Sequence, residues 1–277
     1  MQIKKALAGL LAVASLIGLT ACGTAQASSG NDSNGNKVIN VGVVPGPYGD
    51  EITEVIAPIA AKQGITLKLK QFNDYVQPNK ALAGGQIEAN LFQHPRYLAK
   101  FAADNKLDLT NIGAVPTPPM IIYSKKVKTV DEIPNGATAT LPNDASNTAR
   151  ALNVLQQNGL IKVKDGIDET KATVNDVAEN PKNLQFKTID AAQLPRSADS
   201  ADIALVPGNY AWDAGLDFAN AVAREKQQED TINVFVVRTA DKDSDWAKTI
   251  AKILVSQEFK DAIANSKFKD FGKPVSW

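Results

Sequence analysis

Four side chains with rings lie in two short segments of this 277-residue chain, in which only 6% of the residues are Phe, Trp or Tyr. Tyr75 lies in the segment FNDYVQPN (72–79), and Phe92, His94 and Tyr97 follow within six consecutive positions. Both segments come after a predicted strand, and ligands of α/β proteins bind at the carboxyl ends of strands. Any one of these rings can instead pack the local core, but the group together favours a pocket wall.

Arg150 ends the segment LPNDASNTAR, in which a predicted strand runs into a predicted helix. We expect the cap of this helix among Asp144, Ser146 and Asn147. The N–H groups and the dipole at a helix start favour an anion, and Arg150, placed in the first turn, can bind a carboxylate through two parallel N–H groups. The alternative is an arginine at the surface or one paired with a nearby acid.

Two asparagines complete the candidate site. Asn209 follows the predicted strand 203–206, and Asn233 begins the predicted strand 233–238. A carboxamide both donates and accepts hydrogen bonds, so a pair of them suits a zwitterion with an ammonium and a carboxylate on one carbon. Single asparagines in such positions commonly cap or turn the chain, so neither residue identifies a site by itself.

The composition excludes several other kinds of chemistry. The chain has one histidine and one cysteine, which excludes a multi-histidine metal centre and a cysteine-rich zinc site, so we predict no metal and no cofactor. The 30 basic and 30 acidic residues balance, and no long basic stretch appears, so nucleic-acid binding is not indicated.

Two alternatives to a binding protein remain. A lipid-anchored enzyme would use His94 with Asp74 or Tyr75 as an acid/base pair, but no GxSxG motif or cofactor fingerprint is present. A structural or adhesive surface lipoprotein would bind a protein through its largest exposed patch while its cleft stays empty. We predict that the protein is not an enzyme.

The N-terminus indicates export and lipidation. Lys4 and Lys5 precede an uncharged, mostly apolar run over 6–19, which is shorter than the roughly 20 residues of a membrane-spanning helix but typical of a signal peptide. We predict a signal peptide over 1–21, and the end LTAC resembles a lipoprotein box with Cys22 as the lipidated residue. The alternative is an ordinary secretory signal with a free cysteine. The Ser-, Gly- and Asn-rich segment over 22–37 is expected to be a flexible tether.

The rest of the chain alternates between strand and helix patterns, which predicts an α/β fold with parallel strand pairs. Predicted strands span 38–44, 65–71, 87–92, 137–141, 184–188, 203–206 and 233–238. Predicted helices span 50–62, 76–83, 147–157, 246–255 and 258–266. The pattern restarts after Tyr123, so we predict two α/β units of about 100 residues with a ligand cleft between them.

Nine motifs together resemble the methionine-binding lipoprotein family of ABC importers, the NlpA/MetQ type, from about residue 38 to residue 277. They read PGPYGD, FNDYVQPN, ANLFQH, PPMIIYSKK, LPNDASNTARAL, ENPKNL, AAQLPR, GNYA and IN-VFVVR. The resemblance implies a two-lobed, periplasmic-binding-protein-like (type II-like) fold with the ligand cleft between the lobes. The first lobe is expected over 38–123 plus 235–277 and the second over 124–234.

The same resemblance implies a function and its residues. It implies a monomeric, lipid-anchored binding protein on the extracytoplasmic face of the cell membrane, with palmitate on its anchor, that delivers L-methionine to an ABC permease and its ATPase. Another amino acid or a methionine-containing dipeptide is the alternative ligand. The side-chain pocket is expected from Tyr75, Phe92, His94 and Tyr97, and the amino-acid clamp from Arg150, Asn209 and Asn233.

The sequence departs from the family pattern at three places. Pro207-Gly208-Asn209 stands where relatives often have Asn-Gly-Asn, Pro95-Arg96 follows His94 in place of an apolar residue and Pro, and Ile121 stands where Gly is common. We expect these changes to leave the clamp intact and to affect the shape of the side-chain pocket.

Overall fold

The computed structural model describes residues 30–277. The predicted signal peptide, the lipidated Cys22 and the first part of the tether lie outside the described residues. Within residues 30–277, none of the helices combines the length and the apolar character that crossing a membrane requires.

The described chain contains strands of two to seven residues, most of them rich in Val, Ile, Ala and Thr, as buried strands are. In chain order they are β1 Lys37–Val43, β2 Ile65–Gln71, β3 Ala89–Gln93, β4 Leu109–Ala114, β5 Ile121–Tyr123, β6 Thr138–Pro142, β7 Lys162–Val163, β8 Val177–Glu179, β9 Gln185–Ile189, β10 Ile203–Val206, β11 Ala223–Arg224 and β12 Val234–Arg238.

Helices connect most of these strands. The α-helices are α1 Tyr48–Glu51, α2 Ala57–Ala61, α3 Gln77–Ala83, α4 Pro95–Asn105, α5 Ala145–Gln157, α6 Leu194–Ser197, α7 Gly208–Asp213, α8 Asp245–Val255 and α9 Gln257–Ala264. A π-helical turn over Ile52–Ile56 joins α1 to α2, so the helix predicted over 50–62 is interrupted. Short 3₁₀ helices span Val174–Asp176, Ala191–Gln193, Phe218–Asn220, Glu229–Thr231 and Thr239–Asp241.

The first sheet has the strand order β2-β1-β3-β12-β4. Strand β1 pairs in parallel with β2 and β3, whereas β12, which comes from the end of the chain, runs antiparallel to β3 and β4. Apolar side chains of this sheet, such as Val41 and Phe235, form one buried cluster with Ile56, Leu254 and Phe259 from the helices. We call the part of the protein built on this sheet the first lobe.

The second sheet has the order β11-β5-β10-β6-β9, in which β6 pairs in parallel with β9 and β10 and β5 runs antiparallel to β10 and β11. Helix α5 lies on β6, and its Leu152 and Leu155 are fully buried with Leu141. We call this part the second lobe. Together the two sheets confirm the predicted α/β fold class with two lobes.

Two expectations about the boundaries differ from the structure. The first lobe was expected to extend to residue 123, but Ile121–Tyr123 forms β5 of the second sheet, so the chain crosses between the lobes before residue 121. The flexible tether was expected to reach residue 37, but Asn31 forms an antiparallel bridge with Lys37, and Asp32 accepts a hydrogen bond from Thr66 of β2 over 2.5 Å. These polar contacts hold residues 31–37 on the first lobe.

Candidate ligand-binding site

A cavity of about 330 Å³ lies between the lobes, at the carboxyl ends of β3, β6 and β10. It contains all seven residues that the sequence predicts as the ligand site, namely Tyr75, Phe92, His94, Tyr97, Arg150, Asn209 and Asn233. The other lining residues are Tyr48, Gln93, Thr117, Pro118, Asn147, Pro207 and Gly208. The volume is at the lower end of the range for small-molecule sites.

Rings of the first lobe form one wall of the cavity. The ring centroid of Tyr75 lies 5.9 Å from that of Phe92 and 5.7 Å from that of Tyr97, and Phe92 meets Tyr97 edge-on. From the second lobe, Tyr210 approaches Tyr75 at 5.2 Å. Burial, with smaller contributions from nearby Asp144, raises the pKa of the Tyr75 and Tyr97 phenols, so both hydroxyls stay neutral. The wall is therefore aromatic and uncharged.

His94 is the N-cap of α4, and both of its ring nitrogens have partners. Its Nδ1 accepts a hydrogen bond from the backbone N–H of Tyr97 over 3.2 Å, so in the neutral ring Nε2 carries the proton and donates to Oδ1 of Asn147 over 3.1 Å. Burial, followed by the charge of Arg150, lowers the pKa of His94 to about 3. His94 is therefore a neutral hydrogen-bond donor between the lobes.

The arrangement around His94 does not support an acid/base pair. Asp74 lies on an exposed turn, where its Oδ1 accepts from the backbone N–H groups of Val76 and Gln77, each over 2.7 Å. The hydroxyl of Tyr75 donates to Asn209 instead of meeting the imidazole. Among residues 30–277, no group of three His, Cys, Asp or Glu side chains is placed to hold a metal ion.

Arg150 lies in the second turn of α5, not the first, and its side chain is almost completely buried. Its Nε donates to Oε1 of Glu225 over 2.7 Å and its Nη2 to Oε2 over 2.6 Å. Burial by itself lowers the pKa of Arg150, but the charge and the hydrogen bonds of Glu225 raise it above its ordinary value. The guanidinium is therefore charged and already paired, and Nη1 is left outside this fork.

Asn209, at the start of α7, bridges the two lobes. Its Oδ1 accepts from the hydroxyl of Tyr75 over 2.6 Å, and its Nδ2 donates to the carbonyl of Pro45 over 2.9 Å. The backbones come so close here that a Cβ atom on Gly46 would lie 2.7 Å from Cβ of Asn209, and Gly46 also has φ +135°. Only glycine fits this contact without a shift.

Asn233 and Thr117 lie on the two segments that cross between the lobes. The backbone N–H of Asn233 donates to the hydroxyl of Thr117 over 2.7 Å, and its carbonyl accepts from Val115 over 2.9 Å. Burial and then nearby Glu51 raise the pKa of the Tyr48 phenol, whereas hydrogen bonds with Thr117 and Asn233 act in the opposite direction. The floor of the cavity is thus a set of neutral polar groups.

Gln93 lines the cavity but uses its amide inside the first lobe. Its Nε2 donates to Asn79 over 2.6 Å and to Asn90 over 2.9 Å, and its Oε1 accepts from Asn79 over 2.8 Å. Asn90 also donates to Asn79 over 2.9 Å. All three amides are buried, so this network fixes the end of β3, from which the chain places Phe92 and His94 against the cavity.

Sequence interpretation missed several lining residues and the partner of Arg150. Asp144 is the observed cap of α5, and Asn147, considered there only as a cap, donates from Nδ2 to both carboxylate oxygens of Asp144 over 3.1 Å while binding His94. Tyr48 follows a strand, as Tyr75 does, and that placement was the available signal. Glu225 gave no local signal, because its partner lies 75 residues away in the chain.

Known proteins with similar sequences and structures cover most of the chain. The sequence model of the NlpA lipoprotein family matches residues 39–276. The chain is 40% identical over 261 residues to the D-methionine-binding lipoprotein MetQ of Escherichia coli strain K12, covering 93% of this chain and 94% of that protein.

Two solved structures are similar to the whole described fold. One is a nutrient-binding protein from Burkholderia cenocepacia bound to methionine, with 40% identity, a TM-score of 0.78 and coverage of 84% of this chain and 97% of the other. The second is an ABC transporter periplasmic substrate-binding protein from Coxiella burnetii, with 35% identity, a TM-score of 0.77 and the same coverage. The resemblance found in the sequence motifs is confirmed, and the chain belongs to the NlpA lipoprotein family.

Proposed function

We propose that the protein is a lipid-anchored, extracytoplasmic solute-binding protein that captures methionine between its lobes and delivers it to an ABC permease. One observation carries this proposal. A wall of neutral rings from the first lobe and a charged guanidinium from the second face the same closed cavity of about 330 Å³. A ligand that satisfies both must have a compact apolar side chain and a carboxylate.

The geometry suggests how an amino acid would lie in the cavity. Its carboxylate would approach Nη1 of Arg150, where a charge-assisted hydrogen bond is strong. Its ammonium would lie among the amide and hydroxyl oxygens near Asn233 and Thr117. Its side chain would then extend toward the rings of Phe92 and Tyr97.

A thioether suits that end of the cavity well. Sulfur packs favourably against ring edges, by about 0.3–1.5 kcal/mol per contact, and the unbranched methionine side chain adapts to gaps between rings. A charged side chain would lose its hydration beside Tyr75 and the neutral His94 without gaining a counter-ion. We therefore expect acidic and basic amino acids to be rejected.

Closure of the lobes fits the affinity that such a ligand needs. A micromolar complex requires about 8 kcal/mol, which for the nine heavy atoms of methionine is about 0.9 kcal/mol per atom and is high on the ligand-efficiency scale. Hydrogen bonds from Tyr75 to Asn209 and from His94 to Asn147 join the lobes over the cavity. A hinge motion that closes these contacts around the ligand would exclude water from every face of it.

Names of relatives and the predicted N-terminus support the rest of the proposal. The similar proteins are named as a D-methionine-binding lipoprotein, a nutrient-binding protein bound to methionine and an ABC transporter substrate-binding protein. The predicted box ending at Cys22 supplies a site for a lipid anchor. We propose that this anchor holds a monomer on the extracytoplasmic face of the membrane, near its permease.

Titration calorimetry on residues 23–277, unfolded and refolded to remove carried-over ligand, tests the proposal. We expect heat of binding with methionine and none with lysine or glutamate. Both enantiomers of methionine and dipeptides that contain it belong in the panel, since these ligands share the thioether. The absence of heat with every amino acid and short peptide would overturn the proposal, and conversion of the ligand on long incubation would support an enzyme instead.

A further inference from the structure

We propose that Glu225 determines specificity: by neutralising Arg150, it makes the cavity select a zwitterion over a simple carboxylate anion. The inference rests on the proposed function, because it takes Arg150 as the group that binds the ligand carboxylate. Glu225 itself is not a lining residue of the cavity, so it acts through Arg150.

The contacts of Glu225 are all buried and well aligned. The exposed fractions of the Arg150 and Glu225 side chains are 5% and 3%, and the two groups share two parallel N–H···O bonds of 2.7 and 2.6 Å. Oε2 of Glu225 also accepts from the backbone N–H of Met120 over 3.0 Å. Met120 lies next to β5 on the first crossing segment, and Glu225 directly follows β11 at the second. The carboxylate is therefore fixed at the hinge side of the cavity.

This pairing sets the charge that a ligand meets. Arg150 with Glu225 contributes no net charge, His94 is neutral, and the half-buried Asp144 is hydrogen-bonded to Asn147 and Ser146. A ligand that brings only a carboxylate would add a negative charge to a cavity without a positive excess, and burying an uncompensated charge is costly. A zwitterion brings its own ammonium, so it adds no net charge.

A second buried arginine provides a matched control. Nε of Arg96 bonds to Oδ2 of Asp230 over 2.6 Å, and 6% of the Arg96 side chain is exposed. Neither Arg96 nor Asp230 lines the ligand cavity. The change Asp230→Asn therefore removes the same kind of charge from the same kind of pair without changing the charge that the ligand meets.

The experiment compares two probes on the full-length protein in detergent micelles. Methionine is the zwitterion, and 4-(methylthio)butanoate is the same molecule without its ammonium group. We expect the wild-type protein to bind methionine more tightly by a factor of about 100 or more. In Glu225→Gln this ratio should fall by at least about tenfold, since the freed positive charge of Arg150 then favours the anion, whereas Asp230→Asn should keep the wild-type ratio.

Several outcomes would overturn the inference. Equal affinity of the wild-type protein for both probes would do so without any variant, as would an unchanged ratio in a folded Glu225→Gln protein. If Glu225→Gln does not fold, Glu225→Asp keeps the charge and must keep the wild-type ratio, and a ratio changed by about tenfold would contradict the role of charge. Loss of the proposed function is distinct, because the wild-type protein would then bind neither probe.

Discussion

The two lobes contribute opposite chemistry to one cavity. The first lobe provides Tyr75, Phe92 and Tyr97, whose rings contact one another at 5.7–5.9 Å and whose hydroxyls are neutral. The second lobe provides the charged Arg150 and the amide of Asn209. A ligand on the first lobe alone would lack a partner for its carboxylate, and one on the second alone would leave its side chain in water. Affinity in this protein is thus expected to measure closure.

Each half is held rigid by contacts inside its own lobe. In the first lobe, three buried amides fix the strand that carries Phe92. In the second lobe, Glu225 fixes the guanidinium of Arg150. Few hydrogen bonds join the halves directly, and these depend on Tyr75, His94 and Asn209. Changes inside one half should therefore alter what is bound, whereas changes across the cleft should alter how tightly the lobes close.

The largest expected effect comes from removing the charge of the second lobe. Arg150→Ala should weaken methionine binding by about 2–5 kcal/mol, the range for truncating one partner of a buried charged contact. It also leaves Glu225 buried without a partner, so the free energy of unfolding should fall by about 3–5 kcal/mol. Calorimetry gives the first quantity and denaturant unfolding the second.

A double variant separates these two effects. Arg150→Ala combined with Glu225→Gln removes the uncompensated charge, so it should regain much of the lost stability. It should not regain methionine binding, because the carboxylate still lacks its partner. Near wild-type affinity in either variant would show that Arg150 does not bind the ligand.

The pH dependence of stability tests the neutral histidine between the lobes. The pKa of His94 is about 3 in the folded protein against 6.5 as an ordinary value, so the unfolded chain binds the extra proton first. Its contribution to stability is complete above pH 6.5 and is lost as the pH falls through the window down to about 3. Between about pH 7 and about pH 5, the wild-type free energy of unfolding should fall by about 2 kcal/mol more than that of His94→Gln. Parallel curves for the two proteins would contradict a buried, neutral ring.

Much of this comparison was predictable from local sequence patterns. The alternation over 65–71 and the apolar run over 203–206 gave strands with the observed bounds, because side-chain periodicity reports burial directly. The rings and amides of the predicted site were found because they follow strands, and parallel strands bring their carboxyl ends to one edge of a sheet.

The partners of those residues were not predictable in the same way. Strand β5 has only three residues and pairs with strands that follow it by about 80 and 100 positions, so its sequence carries no sign of which sheet it joins. Glu225 and Asn147 likewise act through contacts 75 and 53 residues away. Acidic and amide residues at loops and helix starts usually cap or are solvated, and only the folded chain distinguishes the ones that face a buried partner.

The smallest expected effect separates closure from packing with two matched tyrosines. The hydroxyl of Tyr75 bonds across the cleft to Asn209 over 2.6 Å, whereas that of Tyr97 bonds within the first lobe to the carbonyl of Tyr75 over 2.9 Å. Tyr75→Phe should weaken methionine binding by about 0.5–1.5 kcal/mol, because the lost bond forms between the lobes. Tyr97→Phe should lower the free energy of unfolding by a similar amount and leave the affinity within about twofold of wild type. Calorimetry and denaturant unfolding on both variants decide the matter, since equal losses of affinity would mean that the two hydroxyls serve the same half of the site.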